Sequence, residues 1–504
     1  MPSDTHVEPR VLRIDPADNV CIALTPLTMG DLVDGIHVRE DVPAGHKVAS
    51  RRIEKGEAIT KFGYPLGTAS VCILPGSHVH THNVASALPV RIDSLTFKPA
   101  PQTVKKTDQH YTFEGYRRPD GRAATRNEIW IVNTVGCVNN ASQKIAEIAS
   151  REFHEDAAID GIYAFTHPFG CSQLGDDLQH TQKVLAGLVN HPNAAAVLIL
   201  GLGCENNQIQ QFLALIDPKK RDRVRYFNAQ EVEDEIEAGV QAVRELAEFA
   251  CQAKREPIPV SELTVAMKCG GSDGFSSITA NPLVGRVTNR LTAAGATVIL
   301  SEVPEMFGAE QVLLERACDE TAFRGTVDLV NNFRAYFEKH GERIDENPSP
   351  GNKAGGITTL AEKSLGCVLK GGKAPVSAVL RYGETAKAGL GGLALVNAPG
   401  NDGVSSTAMT VAGAHVLLFT TGRGTPMGFP VPTVKISTNT DLFTRKPQWI
   451  DFNAGSIVSD HRDMEQVADE LLAYVLDVAS GRRRTRNEMS GFREIAIWKD
   501  GVTL

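Results

Sequence analysis

The sequence predicts a multidomain protein. A small N-terminal all-β domain precedes a large α/β region built on mostly parallel sheets in two subdomains. Three observations predict this. The chain has 504 residues, too many for one hydrophobic core. Residues 11–83 break into short β-prone runs separated by Gly and Pro, the texture of a small all-β unit. From Tyr111 onward, continuous apolar runs alternate with amphipathic stretches, as in parallel sheets covered by helices on both faces.

The N-terminal runs are VLRID, VCIAL, IHVRE, HKVAS, AITKFGYPLG and ASVCILPG. They lead into SHVHTHN (Ser77–Asn83), which places His78, His80 and His82 at alternating positions. If the strand continues, side chains two apart share a face, and three imidazoles align. Imidazole is both a metal ligand and a base that works near neutral pH; the competing reading is a solvent-facing edge strand. His46 and Lys47 follow a Gly turn, a place for anion contact or plain surface polarity. Residues 84–110 carry Pro, Lys and Thr without periodicity and read as a linker.

In the subdomain expected over 111–260, EIWIVNTVGC, DGIYAFTHPFGC and AAAVLILGLGC end in Gly-Cys pairs, at Cys137, Cys171 and Cys204. In the subdomain expected over 261–504, SELTVAMKCGG reaches Cys269 in the same way. Open parallel sheets bind ligands outside the carboxyl ends of their strands. The expectation is that these four thiols face one crevice as metal ligands. A single Cys is more often a small buried hydrophobe, but four equivalent placements favour a site.

The same strand-to-loop pattern recurs beyond Cys269. SEVPEMFGAE carries Glu302, Glu305 and Glu310; APGNDG carries Asn401 and Asp402; TTGRGTP carries Arg423; TVKIS carries Lys435. CGGSDGFSSITANP carries Ser272 and Asp273, with Gly and Ser N–H groups suited to an anion. The stretch Glu346–Gly366, with Asn352 and Lys353, reads as a long polar functional loop. No nucleotide cofactor is expected. Asn206 stands where a third glycine would complete GxGxxG, and TTGRGTP lacks the Gly-Lys-Ser/Thr ending of a P-loop.

Composition narrows the class. A net charge of −8 and a pI near 6.0 argue against nucleic-acid or membrane-surface partners. No apolar run approaches membrane-span length, and the start of the chain is polar. Nine cysteines without a framework spacing fit a reducing cytoplasm. A homo-oligomer is compatible with this sequence. The cations Lys47, Lys353, Arg423 and Lys435, with Ser272, Asp273, Asn352, Asn401 and Asp402, suit a small polyhydroxy acid held by its carboxylate near a metal. Such a site favours removal of a proton beside the carboxylate and loss of a hydroxyl one carbon further on. The developing enolate then needs fixed positive charge.

Several long stretches resemble the altronate/galactarate dehydratase family over nearly the whole chain. They include FEGYRRPDGRAATRNEIWIVNTVGCVN, HPFGCSQLGDD, LGLGCENNQ, KCGGSDGFSSITANPLVGR, ENPSPGNKAGGITTLAEKSLGC and FTTGRGTPMGFPVPTVKI. The N-terminal β domain resembles a SAF (β-clip) domain. HVHTHN, GCSQLGDD, WIDFNAG and FREIAIWKDGVTL resemble the altronate-acting branch, and Ser277 is a mild departure where Gly is more usual. The resemblance implies conversion of D-altronate to 2-dehydro-3-deoxy-D-gluconate in hexuronate catabolism, with Fe²⁺ as cofactor. An iron–sulfur cluster or another divalent metal would also suit thiolate ligands.

The chemistry above assigns the metal to Cys137, Cys171, Cys204 and Cys269, with His80 or His82 as a further ligand or as base, and Lys353 and Arg423 as substrate cations. Histidines 78–82 are then expected to face the Cys137/Cys171/Cys204 edge. The rival readings are a galactarate or other sugar-acid dehydratase, a sulfolactate sulfo-lyase, and a non-enzymatic sugar-acid binding protein.

Overall fold

The computed structural model describes residues 9–88, 92, 96–98, 104, 107, 110–153 and 158–503. Most of the linker expected over 84–110 therefore lies outside the described residues. The N-terminal domain is all β. One antiparallel sheet joins Val11–Leu12, Val20–Ala23, Lys47–Ala49 and His78–Val79; a second joins Ala58–Lys61, Tyr64–Ala69 and Val84–Ala85. Between them Val20, Ile53, Ile59, Leu66 and Val79 form a small buried core. The pairing of Val48 with His78 brings His46 next to the histidine run. That run is strand only at His78–Val79. Beyond it the Asn83 side chain accepts from His80 N at 2.9 Å and donates to His78 O at 2.9 Å, closing a turn as Asn side chains do.

The second unit is a four-stranded parallel sheet in the order Gly161–Phe165, Glu128–Asn133, Ala194–Gly201, Val224–Asn228. Its inner strands Glu128–Asn133 and Ala194–Gly201 are wholly buried because both faces are covered. Helices Asn139–Glu152 and Glu235–Ala250 pack on one face through Ile145, Val243 and Leu246. Helix Gly175–Val189 packs on the other through Val184, Leu185 and Leu188. Strands Thr112–Arg117 and Arg255–Pro259 pair antiparallel, so the beginning and end of this unit are clasped together.

The third unit holds a seven-stranded parallel sheet. Its order is Val376–Leu380, Gly392–Val396, Thr297–Leu300, Thr264–Cys269, Val416–Thr421, Thr433–Ser437, Phe452–Asn453. The first strand in sequence, Thr264–Cys269, lies in the middle. The chain builds outward on one side, then helix Asp402–Val411 carries it back to Val416–Thr421 on the other. The order thus reverses between Thr264–Cys269 and Val416–Thr421, and ligands bind at such switch points. Helix Asp402–Val411 also packs on helix Gly175–Val189, and one buried cluster runs through both parallel sheets.

Two features depart from the sequence reading. Glu346–Gly366 contains helices Pro350–Ala354 and Leu360–Val368, capped by the Ser349 and Thr359 side chains. Ser and Thr caps, with Pro at a first helical position, make helix ends out of what reads as polar loop. The four predicted thiols also divide between two sheets, which is developed below.

The C-terminal segment returns to the second unit. Glu488 is paired with Arg126 at 2.7 Å and Arg493 with Glu128 at 2.9 Å, all nearly fully buried. Burial alone would raise the Glu488 carboxyl, but Arg126 overrides it and holds the group down at about 2. Glu488→Ala leaves Arg126 buried without its carboxylate and should cost roughly 3–5 kcal/mol in urea unfolding. Because the folded value is depressed, the contribution of this carboxylate is complete above about pH 4.3. It should fade as pH falls through about 2, and that component of the acid sensitivity should be absent from the variant.

Candidate active site

The N-terminal domain docks on the carboxyl end of the seven-stranded sheet through backbone. At that end of the sheet Gly274 N donates to Gly355 O at 2.7 Å, and Gly45 of the β domain closes on both loops. A Cβ on Gly274 would lie 1.9 Å from Gly45 O, and one on Gly356 would lie 2.6 Å from the same oxygen. Three segments therefore meet with no room for side chains: the Gly45–His46 turn, the loop after Cys269, and the turn ending helix Pro350–Ala354. A buried ion triad locks this contact. Lys47 Nζ donates to Gly356 O at 2.7 Å and pairs with Glu362 at 2.8 Å, and Lys61 pairs with the other Glu362 oxygen at 2.8 Å. Thr358 donates its N–H at 2.8 Å and its hydroxyl at 2.7 Å to Glu362. Burial would raise Glu362, yet Lys47 and Lys61 hold it far below the usual carboxylate range. Burial brings Lys47 down to about 8.

On this junction sits a histidine cluster. His46 Nδ1 is 3.0 Å from His78 Nε2, and the ring centroids of His46 and His80 are 5.0 Å apart. His78 and His80 stack at 5.3 Å, with His82 at 5.6 Å from His78 and exposed to solvent. The donor atoms of His46, His78 and His80 all lie within 4.8 Å of one another. Burial, then the neighbouring imidazoles, lowers His78 to about 3; burial, then Lys47, lowers His80 to about 4. Burial lowers His46 as well, so all three imidazoles favour the neutral form, the one that binds a metal. His80 Nδ1 is buried without a hydrogen-bond partner. His46 Nε2 lies 3.3 Å from Ala354 O, the kind of outer contact that orients a ligating ring. This donor set fits a divalent metal.

The loops at the switch point lie alongside. Arg423 is exposed and donates to Gly351 O at 2.8 Å, two residues from the half-buried Lys353 and three from the Ala354 carbonyl that meets His46. Among the described residues Lys353 Nζ makes no hydrogen bond or ion pair. Asn401 caps helix Asp402–Val411 and is exposed. Asp402 pairs with buried Lys268 at 2.7 Å while its side chain stays about a third exposed. Beneath them is a charged network that sequence reasoning did not assign. Lys268 also pairs with Glu302, Lys363 with Glu305 at 2.8 Å, and Lys370 approaches Glu302 at 3.6 Å. Glu302 has φ of 69°, a strained conformation for a residue other than Gly and one that tends to mark functional sites.

Several predicted residues lie elsewhere or are committed elsewhere. Cys269 closes the central strand of the seven-stranded sheet, whereas Cys137, Cys171 and Cys204 follow three adjacent strands of the other sheet and are exposed. The four thiols therefore do not close strands of one sheet, because the chain changes sheets between Cys204 and Cys269. The histidines face the Cys269 loop and the 351–356 turn, with no contact to the other three cysteines among the described residues. Asp273 is used up within the fold, accepting from Ser276 N at 2.9 Å, Thr438 Oγ1 at 2.9 Å and Asn439 Nδ2 at 3.2 Å. Asn352 Nδ2 donates to Ser272 O at 2.8 Å and Lys435 Nζ to Thr425 O at 2.8 Å. These groups, with Lys47, shape the loops. Ser272 Oγ is different, being buried without a partner. His46 was visible only as a residue after a Gly turn; its place in the cluster depends on strand register.

The histidine cluster thus lies beside the switch-point loops that carry Arg423 and Lys353. Residues 9–87 match the family model "Altronate/galactarate dehydratase SAF domain". Residues 115–251 match "D-galactarate dehydratase/Altronate hydrolase, second domain", and residues 260–503 match "D-galactarate/Altronate dehydratase, C-terminal". The chain is 47% identical to the altronate dehydratase of Bacillus subtilis (strain 168), across 98% of this chain and 99% of that one. It is 46% identical to the altronate dehydratase of Escherichia coli (strain K12), with the same coverage. It is 34% identical to the galactarate dehydratase (L-threo-forming) of the latter organism, across 97% and 96%. The chain belongs to the altronate/galactarate dehydratase family.

The ion triad makes its own prediction. Glu362→Ala leaves Lys47 and Lys61 buried without a carboxylate and should cost roughly 3–5 kcal/mol. It should also raise amide hydrogen exchange selectively at residues 45–48 and 354–362. Unchanged exchange at both segments would contradict the docking role.

Proposed function

We propose that this chain is a hydro-lyase that converts D-altronate to 2-dehydro-3-deoxy-D-gluconate and water. The observation that carries the reading is the neutral imidazole cluster of His46, His78 and His80 beside the free cations of the switch-point loops. The resemblance to two altronate dehydratases over 98% of the chain supports the substrate, and nine cysteines without a framework spacing support a reducing, cytoplasmic setting.

Arg423 and Lys353 hold the substrate carboxylate, Arg423 through its forked guanidinium and Lys353 as a point charge. Asn401 and Asp402 meet the sugar hydroxyls. Fe²⁺ on His46, His78 and His80 would supply Lewis acidity toward carboxylate and hydroxyl oxygens. His82, exposed beside His78, takes the proton from C2 as general base. The cations stabilise the negative charge that then spreads onto the carboxylate. The C3–O bond breaks, the hydroxyl leaves as water, and the enol rearranges to the 2-keto acid.

A second reading puts iron on Cys137, Cys171 and Cys204 as a cluster. What favours it is that three exposed thiols follow three adjacent parallel strands. Acid-labile sulfide in anaerobically purified protein separates the two: a cluster carries sulfide, and iron on imidazoles carries none.

Two experiments test the main reading. Alanine at His46, His78 or His80 should weaken Fe²⁺ binding at least tenfold in anaerobic equilibrium dialysis, and unchanged affinity in all three would remove the imidazole site. Keto-acid formation from a panel of sugar acids should show kcat/KM for D-altronate at least tenfold above galactarate. Arg423→Ala should raise KM more than it lowers kcat, as loss of uniform substrate binding does. Preference for galactarate, or full turnover in the presence of a chelator, would contradict the proposal.

A further inference from the structure

Cys269 and Cys367 are the two cysteines whose sulfurs the fold brings into contact. Cys269 ends strand Thr264–Cys269 and Cys367 lies in helix Leu360–Val368. Both are buried, their Sγ atoms are 3.2 Å apart, and Glu305 Oε2 lies 2.9 Å from Cys367 Sγ and 3.3 Å from Cys269 Sγ. Two sulfurs and a carboxylate at these spacings also resemble a metal site. The surroundings argue against that. Lys268, Lys363 and Lys370 all converge on this group, and Lys363 already holds the Glu305 carboxylate that a metal would need.

The charges are instead arranged for a thiolate. Lys268 is balanced by Glu302 and Asp402, and Lys363 by Glu305. Lys370 Nζ is buried with no hydrogen-bond partner, and Glu302 approaches it only at 3.6 Å. The Cys269 and Cys367 sulfurs face this ammonium. The hydrogen bond from Cys367 lowers the Cys269 thiol below its ordinary value and raises Cys367. A thiolate in contact with a thiol is the reduced half of a disulfide. A small cavity lined by Cys367, Ser272, Ser277, Lys61 and Lys363 reaches the Cys367 side of the pair and has room for about one water-sized molecule. The unpartnered Ser272 hydroxyl belongs to its wall.

We propose that Cys269 and Cys367 are a redox pair that hydrogen peroxide closes to a disulfide, reversibly switching off the adjoining site. The Cys269 thiolate attacks one peroxide oxygen, the O–O bond breaks, and hydroxide leaves, giving a sulfenic acid. The Cys367 sulfur then attacks the Cys269 sulfur and loses its proton, and the sulfenic oxygen leaves as hydroxide, protonated to water. The two thiols are oxidised to one disulfide and one peroxide is reduced to two waters. An S–S bond of about 2.05 Å draws helix Leu360–Val368 toward the Gly270–Asp273 loop. That helix carries Glu362 and Lys363, so closure disturbs both the docked β domain and the charged network. The bond also removes the negative sulfur facing Lys370.

The test treats the full-length protein, without added iron, with stoichiometric hydrogen peroxide. Remaining thiols are alkylated, and peptides are mapped by mass before and after dithiothreitol. The expected result is a Cys269–Cys367 cross-linked peptide. Turnover after iron loading should fall at least tenfold and return after dithiothreitol. In Cys367→Ser no such cross-link forms, and dithiothreitol should restore much less of the lost turnover because Cys269 oxidises further. Oxidation of Cys137, Cys171 and Cys204 with both buried cysteines still alkylatable after denaturation would overturn the proposal. So would loss of one equivalent of bound iron in Cys367→Ser with iron retained in His46→Ala, which would make the sulfurs metal ligands. The cross-link is read by mass, so its absence counts against the pair and leaves the proposed reaction untouched.

Discussion

The architecture depends on one buried carboxylate. Glu362 lies at the contact between the N-terminal domain and the seven-stranded sheet, and it takes both Lys47 and Lys61 as partners. A buried ion pair contributes little net stability compared with well-packed apolar groups, but breaking it leaves an expensive charge behind. Its effect is to define a single docked position. Two lysines from two strands of the β domain reach the same carboxylate only in one orientation. In that orientation Gly45 lies against Gly274 and Gly356. The histidines that follow Gly45 and Ile73 in the sequence are then carried to the edge of the switch-point crevice.

The crevice itself is a consequence of strand order. Because Thr264–Cys269 is central and Val416–Thr421 returns on its far side, the loops bearing Ser272 and Arg423 are neighbours despite about 150 intervening residues. The helix that makes the return, Asp402–Val411, begins with Asp402 and pairs it to Lys268 on the central strand. Anion-binding cations, a strained acidic residue and a buried thiol pair therefore collect at one end of one sheet. The second unit's exposed thiols follow strands of a different sheet, so chemistry at those residues would be separate from this crevice.

Much of this was legible in the sequence. Residues 11–83 announce a β domain by short runs and Gly/Pro punctuation. The parallel sheets announce themselves by wholly apolar strands such as AAAVLILG, whose eight residues are all buried. Arg423, Asp402 and the histidine run stood out because each is a polar group on a Gly-bearing turn after an apolar run, and Lys353 because it lies in a long polar stretch. What stayed hidden depends on contacts distant in sequence. His46 joins His78 only through strand register. Cys367 reads as a small residue in a helix, and its partner is 98 residues away. Equal placement at strand ends suggested that four cysteines converge, but strand ends align only within one sheet, and nothing local marks where the chain leaves one sheet for the next. Lys47, Asp273, Asn352 and Lys435 looked available because their partners are mostly backbone carbonyls, hydroxyls and one remote carboxylate, which carry no sequence signature.

The central claim is that the imidazoles carried by the β domain hold the catalytic iron. X-ray absorption at the iron edge of anaerobically iron-loaded protein tests it most directly. The account predicts nitrogen and oxygen scatterers at about 2.0–2.2 Å with the outer-shell pattern of imidazole rings. A first shell dominated by sulfur near 2.3 Å, with a short iron–iron vector, would contradict it and move the metal to the cysteines.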